Sequence, residues 1–442
     1  MLSRINGLAE APRMIRARVS QHDAWSRAME YLPSVSEGIY LVGGTVRDAL
    51  RGVVGNDLDL AVDGDAKRVG RRLADSLGGA FYVLDDDHGV CRVVLRDAWH
   101  GCHVDLAALR SRTIEEDLAA RDFTVNAMAV SLHDQNSELL DPTGGWEDLQ
   151  GKLIRHAYPR AFDDDPLRLL RAVRQSASLE YTLHASTLGL VRDRCELIKQ
   201  VSAERVRDEL MHMLRMNSPS GLRMALELGL LSRVLTPLPE AELAEGLQWA
   251  GVVQQADATT AGAATAAASL WAWAEGERHP GKEIDILAAL VAPGTPDRRD
   301  AALRGLRLSR WEYVHLERVF LALSCAVWAQ RRPVDRLDAH RYYRDRDVAG
   351  AAAAALVWYC PWSSAERRQM ADSLLAWWGR EGQAIASPTP LLSGHDLIEG
   401  LGLPPGPAVG ATLRALVEAQ VSGVVADREE AWAWARAALA AK

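Results

Sequence analysis

Asp57 and Asp59 stand two residues apart in the apolar run Asp57-Leu-Asp-Leu-Ala-Val62. On a strand, residues two apart project from one face, so both carboxylates aim at one point. Such a donor set suits a hard cation, and a pair of Mg2+ ions there activates an attacking hydroxyl and neutralises a leaving pyrophosphate. Asp105, in His103-Val-Asp-Leu-Ala107, brings a third carboxylate from a neighbouring strand. Upstream, Gly43 and Gly44 end an apolar run and open a helix that carries Arg47. Lacking Cβ, they let backbone N–H groups approach a triphosphate at a helix start. A lone Gly-Gly is usually a turn, and a lone Asp-x-Asp a solvated loop. In strand–turn–helix–strand order they point to nucleotidyl transfer, with Asp63 and Asp65 read as surface acids.

The elements that must position these groups follow from periodicity. Runs at 38–44, 57–62, 80–84, 89–96 and 102–109 read as strands, and 45–51 and 66–77 as helices. This is a small α/β unit on a mixed sheet. After Asp141-Pro-Thr-Gly-Gly145 the pattern turns to helix period and no convincing strand follows. Weak points at 256–269 and 379–390 suggest joints. We therefore divide the chain into a head (1–140), a helical neck (141–240), a helical body (241–380) and a helical tail (381–442), an elongated multi-domain arrangement.

Composition narrows the class. At 442 residues, the chain exceeds one compact core. No run of about 18 apolar residues predicts a membrane span, and the N-terminus lacks a signal-peptide core, so a cytoplasmic location is expected. The five cysteines are scattered without a Cys-x-x-Cys pair, which argues against zinc or a disulfide framework. A net charge of −8 means that a nucleic-acid partner must be held by local patches.

Gly43-Gly-Thr-Val-Arg-Asp-Ala-Leu-Arg-Gly52, followed by Asp57-Leu-Asp59, resembles the catalytic motif of class II tRNA nucleotidyltransferases, which include CCA-adding enzymes and bacterial poly(A) polymerases. Further segments match in the family's order. Asp117-Leu-Ala-Ala-Arg-Asp-Phe-Thr-Val-Asn-Ala-Met-Ala129 is similar to the ribose-recognition motif. Asp141-Pro-Thr-Gly-Gly145, Asp148-Leu149 and Ile154-Arg-His156 resemble the entry to the neck. Phe162-Asp-Asp-Asp-Pro-Leu-Arg-Leu-Leu-Arg-Ala-Val-Arg174 resembles the base-reading helix, and Ser202–Leu210 the motif that braces it. The resemblance covers about 35–240. It implies a polymerase-beta-like head, Mg2+ held by Asp57 and Asp59 with Asp105 assisting, and nucleotide contacts from Gly43, Gly44, Arg47, Arg121, Asp122, Asp165, Arg168, Arg171 and Arg174. CTP and ATP are the implied nucleotides and the tRNA 3′ end the implied acceptor.

Side-chain chemistry supports the base-reading role. Asp165, Arg168 and Leu169 are expected on successive turns of a helix with Pro166 at its first position, the i, i+3 pair sharing a face. A carboxylate accepts from an exocyclic amine and a guanidinium donates to a ring acceptor. Cytosine and adenine offer that pattern, and uracil and guanine the reverse. The plainer alternative is a capped helix whose arginines pair with acidic neighbours.

Two departures stand out. The family's ribose motif has two arginines before Asp122; here the first is Ala120, with Arg110 or Arg112 as conceivable substitutes. The family's flexible segment before this motif is reduced to Ser111–Ala120. Its loss accompanies enzymes that add CC and stop, so CC-restricted addition stands beside full CCA addition.

Basic and aromatic residues interleave at Arg298–Arg318 and Arg331–Arg346. Such clusters suit RNA phosphates, but interspersed aspartates equally describe a solvated face. Trp271, Trp273, Trp377, Trp378, Trp432 and Trp434 read as packing residues. The tail, from Leu392-Ser-Gly-His-Asp-Leu-Ile398 to Arg428-Glu-Glu-Ala431, resembles tails of bacterial CCA-adding enzymes. The alternatives are a poly(A) polymerase acting on RNA 3′ ends and a catalytically reduced tRNA-binding relative.

Overall fold

The computed structural model describes residues 9–96, 101–134, 136–256, 280–329 and 332–440. Trp271, Trp273, Arg331 and most of the 256–269 stretch lie outside them. Two compact units divide the chain: Met1–Ser202 with Leu228–Leu230, and Ala203–Glu227 with Leu231–Lys442.

The first unit begins with helices α1 (Ala11–Ser20) and α2 (Asp23–Tyr31). Trp25 of α2 is fully buried, its indole N–H donating to Gly55 O at 3.0 Å. Strands β1 (Gly38–Val42), β2 (Asp57–Asp63), β3 (Ala80–Asp85), β4 (Val90–Val94), β5 (His103–Ala108) and β6 (Ala129–Ser131) form one sheet in the order β3-β4-β5-β2-β1-β6. β2 and β5 are parallel and the other pairs antiparallel. Along β2, Leu58, Leu60 and Val62 are buried on one face, leaving Asp57 and Asp59 on the other. Helix α3 (Gly43–Arg51) joins β1 to β2, and α4 (Ala66–Leu77) follows β2 with Asp65 as its N-cap. The expected strands and both helices are thus present, with shifted ends. β1 stops at Val42 because Gly43 takes φ +63° and starts the helix two residues early.

Three short strands escape the sequence reading: β6, and the parallel pair β7 (Leu153–Ile154) and β8 (Thr182–Leu183). The expectation of no strand after residue 145 is thereby corrected. Two residues show no alternation, and main-chain pairing alone reveals them. Between β5 and β6 lies α5 (Ile114–Ala119). Helices α6 (Gly145–Gln150), α7 (Ala161–Asp164) and α8 (Arg168–Leu179) complete the part that frames the site.

The second unit is helical throughout its described residues. Helix Glu240–Gln255 packs so closely on Lys282–Val291 that a Cβ at Gly246 would collide with the Leu290 carbonyl. Arg336 pairs with Glu381, and Arg341 and Arg344 both pair with Glu418. Arg332 pairs with Asp335 and Asp338, and Tyr342 and Tyr343 are buried. Arg332, Arg336, Arg341 and Arg344 are therefore ion-paired within the protein, and Arg346 donates to the Tyr342 carbonyl. Trp378 is buried, Trp377 donates to Val334 O, and Trp432 and Trp434 pack on the tail core, as expected of packing residues.

Gly246→Ala is expected to destabilise the chain by about 1–3 kcal/mol in denaturant unfolding, because backbone must yield to the new methyl. Gly379→Ala, in an open position of helix Ala365–Glu381, is expected to gain about 0.5–1 kcal/mol in the same assay. Equal effects of the two substitutions would refute the packing argument.

Candidate active site

The register of two parallel strands assembles the acidic centre. Asp57 lies opposite His103 and Asp59 opposite Asp105, which puts all four side chains on one face of the β2–β5 pair. His103 Nε2 sits 3.2 Å from Asp57 Oδ1. Thr45 braces the strand from α3, its Oγ1 accepting the Asp59 N–H at 2.7 Å. Burial, then the Asp105 charge, pushes the Asp59 carboxyl above its ordinary range, with Arg121 pulling the other way. A cation beside Asp59 would relieve both stresses.

Asp105 is engaged differently from a free third carboxylate. Arg92 Nε and Nη2 donate to its two oxygens, both at 2.7 Å. Among the described residues, no three His, Cys, Asp or Glu side chains converge into a ready cation cage. Asp57 and Asp59 are the pair whose position and chemistry fit Mg2+, with Asp105 held beside them by Arg92.

The Gly-Gly turn is crowded by its own neighbours. A Cβ at Gly43 would lie 3.0 Å from Arg121 Nη1 and 3.5 Å from Asp59 Oδ2, and one at Gly44 would lie 3.1 Å from Asp59 Oδ2. Arg121 also reaches Asp117 Oδ2 at 3.3 Å, while its buried Nε has no partner.

Asp122 is buried and saturated. Its Oδ1 accepts from Phe123 N at 2.8 Å and Asn126 Nδ2 at 3.0 Å; its Oδ2 accepts from Arg171 Nε at 3.0 Å and Nη2 at 2.7 Å. Burial alone would raise its carboxyl, but Arg171 and these hydrogen bonds outweigh it and hold the group below the usual range. The carboxylate expected to accept from a ribose hydroxyl is occupied by protein donors. Asn126 extends the network, accepting from Arg47 Nη1 at 2.7 Å and donating to Gln175 Oε1 at 3.0 Å.

Asp165 corrects a second expectation. It does not share a helix face with Arg168: the backbone breaks between α7 and α8, and Asp165 is extended (φ −144°, ψ 98°) before Pro166. Proline disfavours helical backbone at the residue before it. The two residues are joined instead by a turn closed by Arg168 N–H to Asp165 O at 3.1 Å, and both line one cavity. Leu169 is fully buried and belongs to the core. Arg168 is held by Tyr158, whose hydroxyl accepts at 2.9 Å and whose ring lies 5.6 Å below the guanidinium, and by Ala120 O at 3.2 Å.

One cavity of about 580 Å3 gathers Gly43, Gly44, Arg47, Asp57, Asp59, Asp105, Arg121, Asp122, Asp165, Arg168, Arg171 and Arg174. Every residue for which the resemblance implies a catalytic, metal or nucleotide role lines it. Arg110 and Arg112, the conceivable substitutes at Ala120, are exposed and do not. Sequence reasoning missed Thr45, Arg92, His103, Asn126, Tyr158 and Gln175. Alternation on β4 and β5 would have flagged Arg92 and His103 only with the strand pairing known.

Residues 39–155 match the family described as the Poly A polymerase head domain, and 180–243 match the probable RNA and SrmB- binding site of polymerase A. The CC-adding tRNA nucleotidyltransferase of Geobacter sulfurreducens is 35% identical over 89% of this chain and 90% of its own. The chain belongs to the tRNA nucleotidyltransferase family, class II. The A-adding tRNA nucleotidyltransferase of Deinococcus radiodurans is 32% identical over 91% of this chain and 96% of its own. A CCA-adding enzyme solved with CTP shares the fold at a TM-score of 0.71, with 20% identity over 97% of this chain and 98% of that one. The α/β head followed by helices, expected from periodicity, is the family's architecture.

Because Asp122 is held below its ordinary range, its contribution is fully present above the unfolded-state carboxylate range. That contribution is lost as pH falls through the depressed folded value. Asp122→Asn is expected to lower unfolding free energy near neutral pH by about 1–3 kcal/mol and to flatten the acid limb of the melting-temperature profile. A variant profile parallel to the wild type would contradict this.

Proposed function

We propose that the chain extends the 3′ end of tRNA without a template, adding C from CTP and stopping before the terminal A. The observation that carries the reading is the single cavity that holds both the Asp57/Asp59 strand and the Asp165/Arg168 pair. One end of it suits phosphoryl transfer and the other suits a base edge with an amine beside an acceptor. The primer 3′-hydroxyl attacks the α-phosphorus, its proton leaves, and pyrophosphate departs. Mg2+ bound by Asp57 and Asp59 would supply charge for both oxygens. Arg47, Arg121, Arg171 and Arg174 line the cavity with positive charge suited to the triphosphate, and Asp122 orients Arg171 and Asn126. In this reading the head (1–140) and neck (141–240) perform the chemistry, and the body and tail hold tRNA.

Restriction to CC is supported by α5. The segment that is a mobile loop in many family members is here a six-residue helix, capped by Thr113 and packed through Ile114 and Leu118. Asp117 fastens both ends of the link, accepting from Arg110 N at 3.1 Å and from Arg121 Nη2 at 3.3 Å. A segment so fixed offers no lever to re-shape the base site for ATP. The two quoted relatives carry different names, CC-adding and A-adding, so the stopping point requires its own assay.

Incubated with tRNA lacking its 3′ CCA, CTP and ATP, the protein is expected to add two C residues and no A. Efficient terminal A addition would overturn the restriction, and long poly(A) from ATP alone would favour a polyadenylating enzyme. Asp57→Asn and Asp59→Asn are each expected to lower CMP incorporation by about 10^3-fold, the scale of several kcal/mol of transition-state stabilisation. Arg168→Ala is expected to reduce discrimination of CTP over UTP more than it reduces turnover.

A further inference from the structure

The second unit contains a cleft of about 370 Å3 whose lining includes Arg299, Arg367, Trp362, Phe320, Ser324 and Ser363 and, among the described residues, no carboxylate. Arg299 is the part-buried arginine of the Arg298–Arg318 cluster, whose other arginines are exposed. Arg298, Arg304 and Arg307 pair with Glu242, Asp300 and Glu204. Arg299 stacks on Phe320, its Cζ 4.4 Å from the ring centroid, and donates from Nη1 to Ala292 O at 3.1 Å. Its Nε is buried without a hydrogen-bond partner, and burial lowers its pKa with no carboxylate in opposition. A half-buried guanidinium without a counter-charge is unfavourable, and its planar fork matches phosphate oxygens.

The rest of the cleft extends that chemistry. Arg367 lines the same wall and is exposed. Trp362 is 47% exposed and stands edge-on to Trp249, itself anchored by its indole N–H to Leu356 O at 2.8 Å. An exposed indole set against an anchored one is a surface on which any base stacks. The adjoining cavity shares Arg299 but contains Asp300 and Glu317, so the anion-favouring side is that of Arg367. The volume lies within the usual span of ligand pockets.

We propose that this cleft binds one nucleotide unit of the tRNA, its phosphate between Arg299 and Arg367 and its base against Trp362. The site rests on the cleft itself; tRNA as the source of the nucleotide rests on the function proposed above. A free mononucleotide has the same chemistry, and the experiment separates the two.

Photolabelling of the full chain with 8-azido-AMP, followed by peptide mapping, is expected to mark the Trp362 peptide. The mark is expected to be lost in Arg299→Gln and Arg367→Gln and blocked by saturating tRNA. In filter binding, each variant is expected to weaken tRNA about 3–10-fold and to lower the slope of log affinity against log salt by about 1. CMP incorporation into a short acceptor-stem RNA is expected to be unchanged. Labelling that survives saturating tRNA, with tRNA affinity unaltered, supports the cleft and overturns tRNA as its ligand. An unmarked Trp362 peptide with all tRNA affinities within twofold of wild type overturns the proposal. Arg367→Gln and Trp362→Ala, both at exposed positions, keep the test decisive if Arg299→Gln fails to fold. Absence of incorporation by the wild type would refute the function proposed above and leave the labelling result to judge the cleft.

Discussion

The Asp122 carboxylate, buried and surrounded by donors, is the point through which the parts of the site hold one another. It binds Arg171 on α8 and Asn126 beside β6, and Asn126 in turn holds Arg47 on α3 and Gln175 on α8. The helix that opens at the Gly-Gly turn and the helix that begins at Arg168 are thereby referred to one charge. A network of this kind is strong because each member is satisfied, and its loss exposes the others to unpaired burial. The acidic strand faces the same cavity, so the positions of the Arg168 end and of the Asp59 end are mutually dependent.

The strand pairing supplies the second constraint. Parallel β2 and β5 place Asp59 against Asp105 and Asp57 against His103, and antiparallel β4 adds Arg92 opposite Asp105. Like charges brought so close need a compensating cation. Arg92 provides it for Asp105, and among the described residues no such partner is present for Asp57 and Asp59 beyond His103 and the Arg121 charge.

Much of this was legible in the chain. The alternation in 57–62 and the spacing of Asp57 and Asp59 determine which face carries the acids, and the order of motifs located the residues that line the cavity. What was not legible depends on pairing or on backbone breaks. Arg92 and Tyr158 are ordinary surface letters until β4 and the α7–α8 turn bring them to Asp105 and Arg168. Asp165 misled because a run of Asp, Pro, Leu and Arg reads as a helix start, whereas Pro166 holds Asp165 outside the helix. Asp122 lines the cavity, but its side-chain partners are 4 and 49 residues away, so its saturation could not be counted from local sequence.

The short link before the ribose motif has a consequence for how such a chain changes over time. Asp117 bonds the backbone at Arg110 and the side chain of Arg121, the two ends of the segment, while Thr113 caps the helix between them. A residue inserted within it must break either the cap or the clasp before it can lengthen the segment. Small insertions therefore lose stability without yet yielding a mobile arm. A long loop at this place would require an insertion large enough to do without both fastenings.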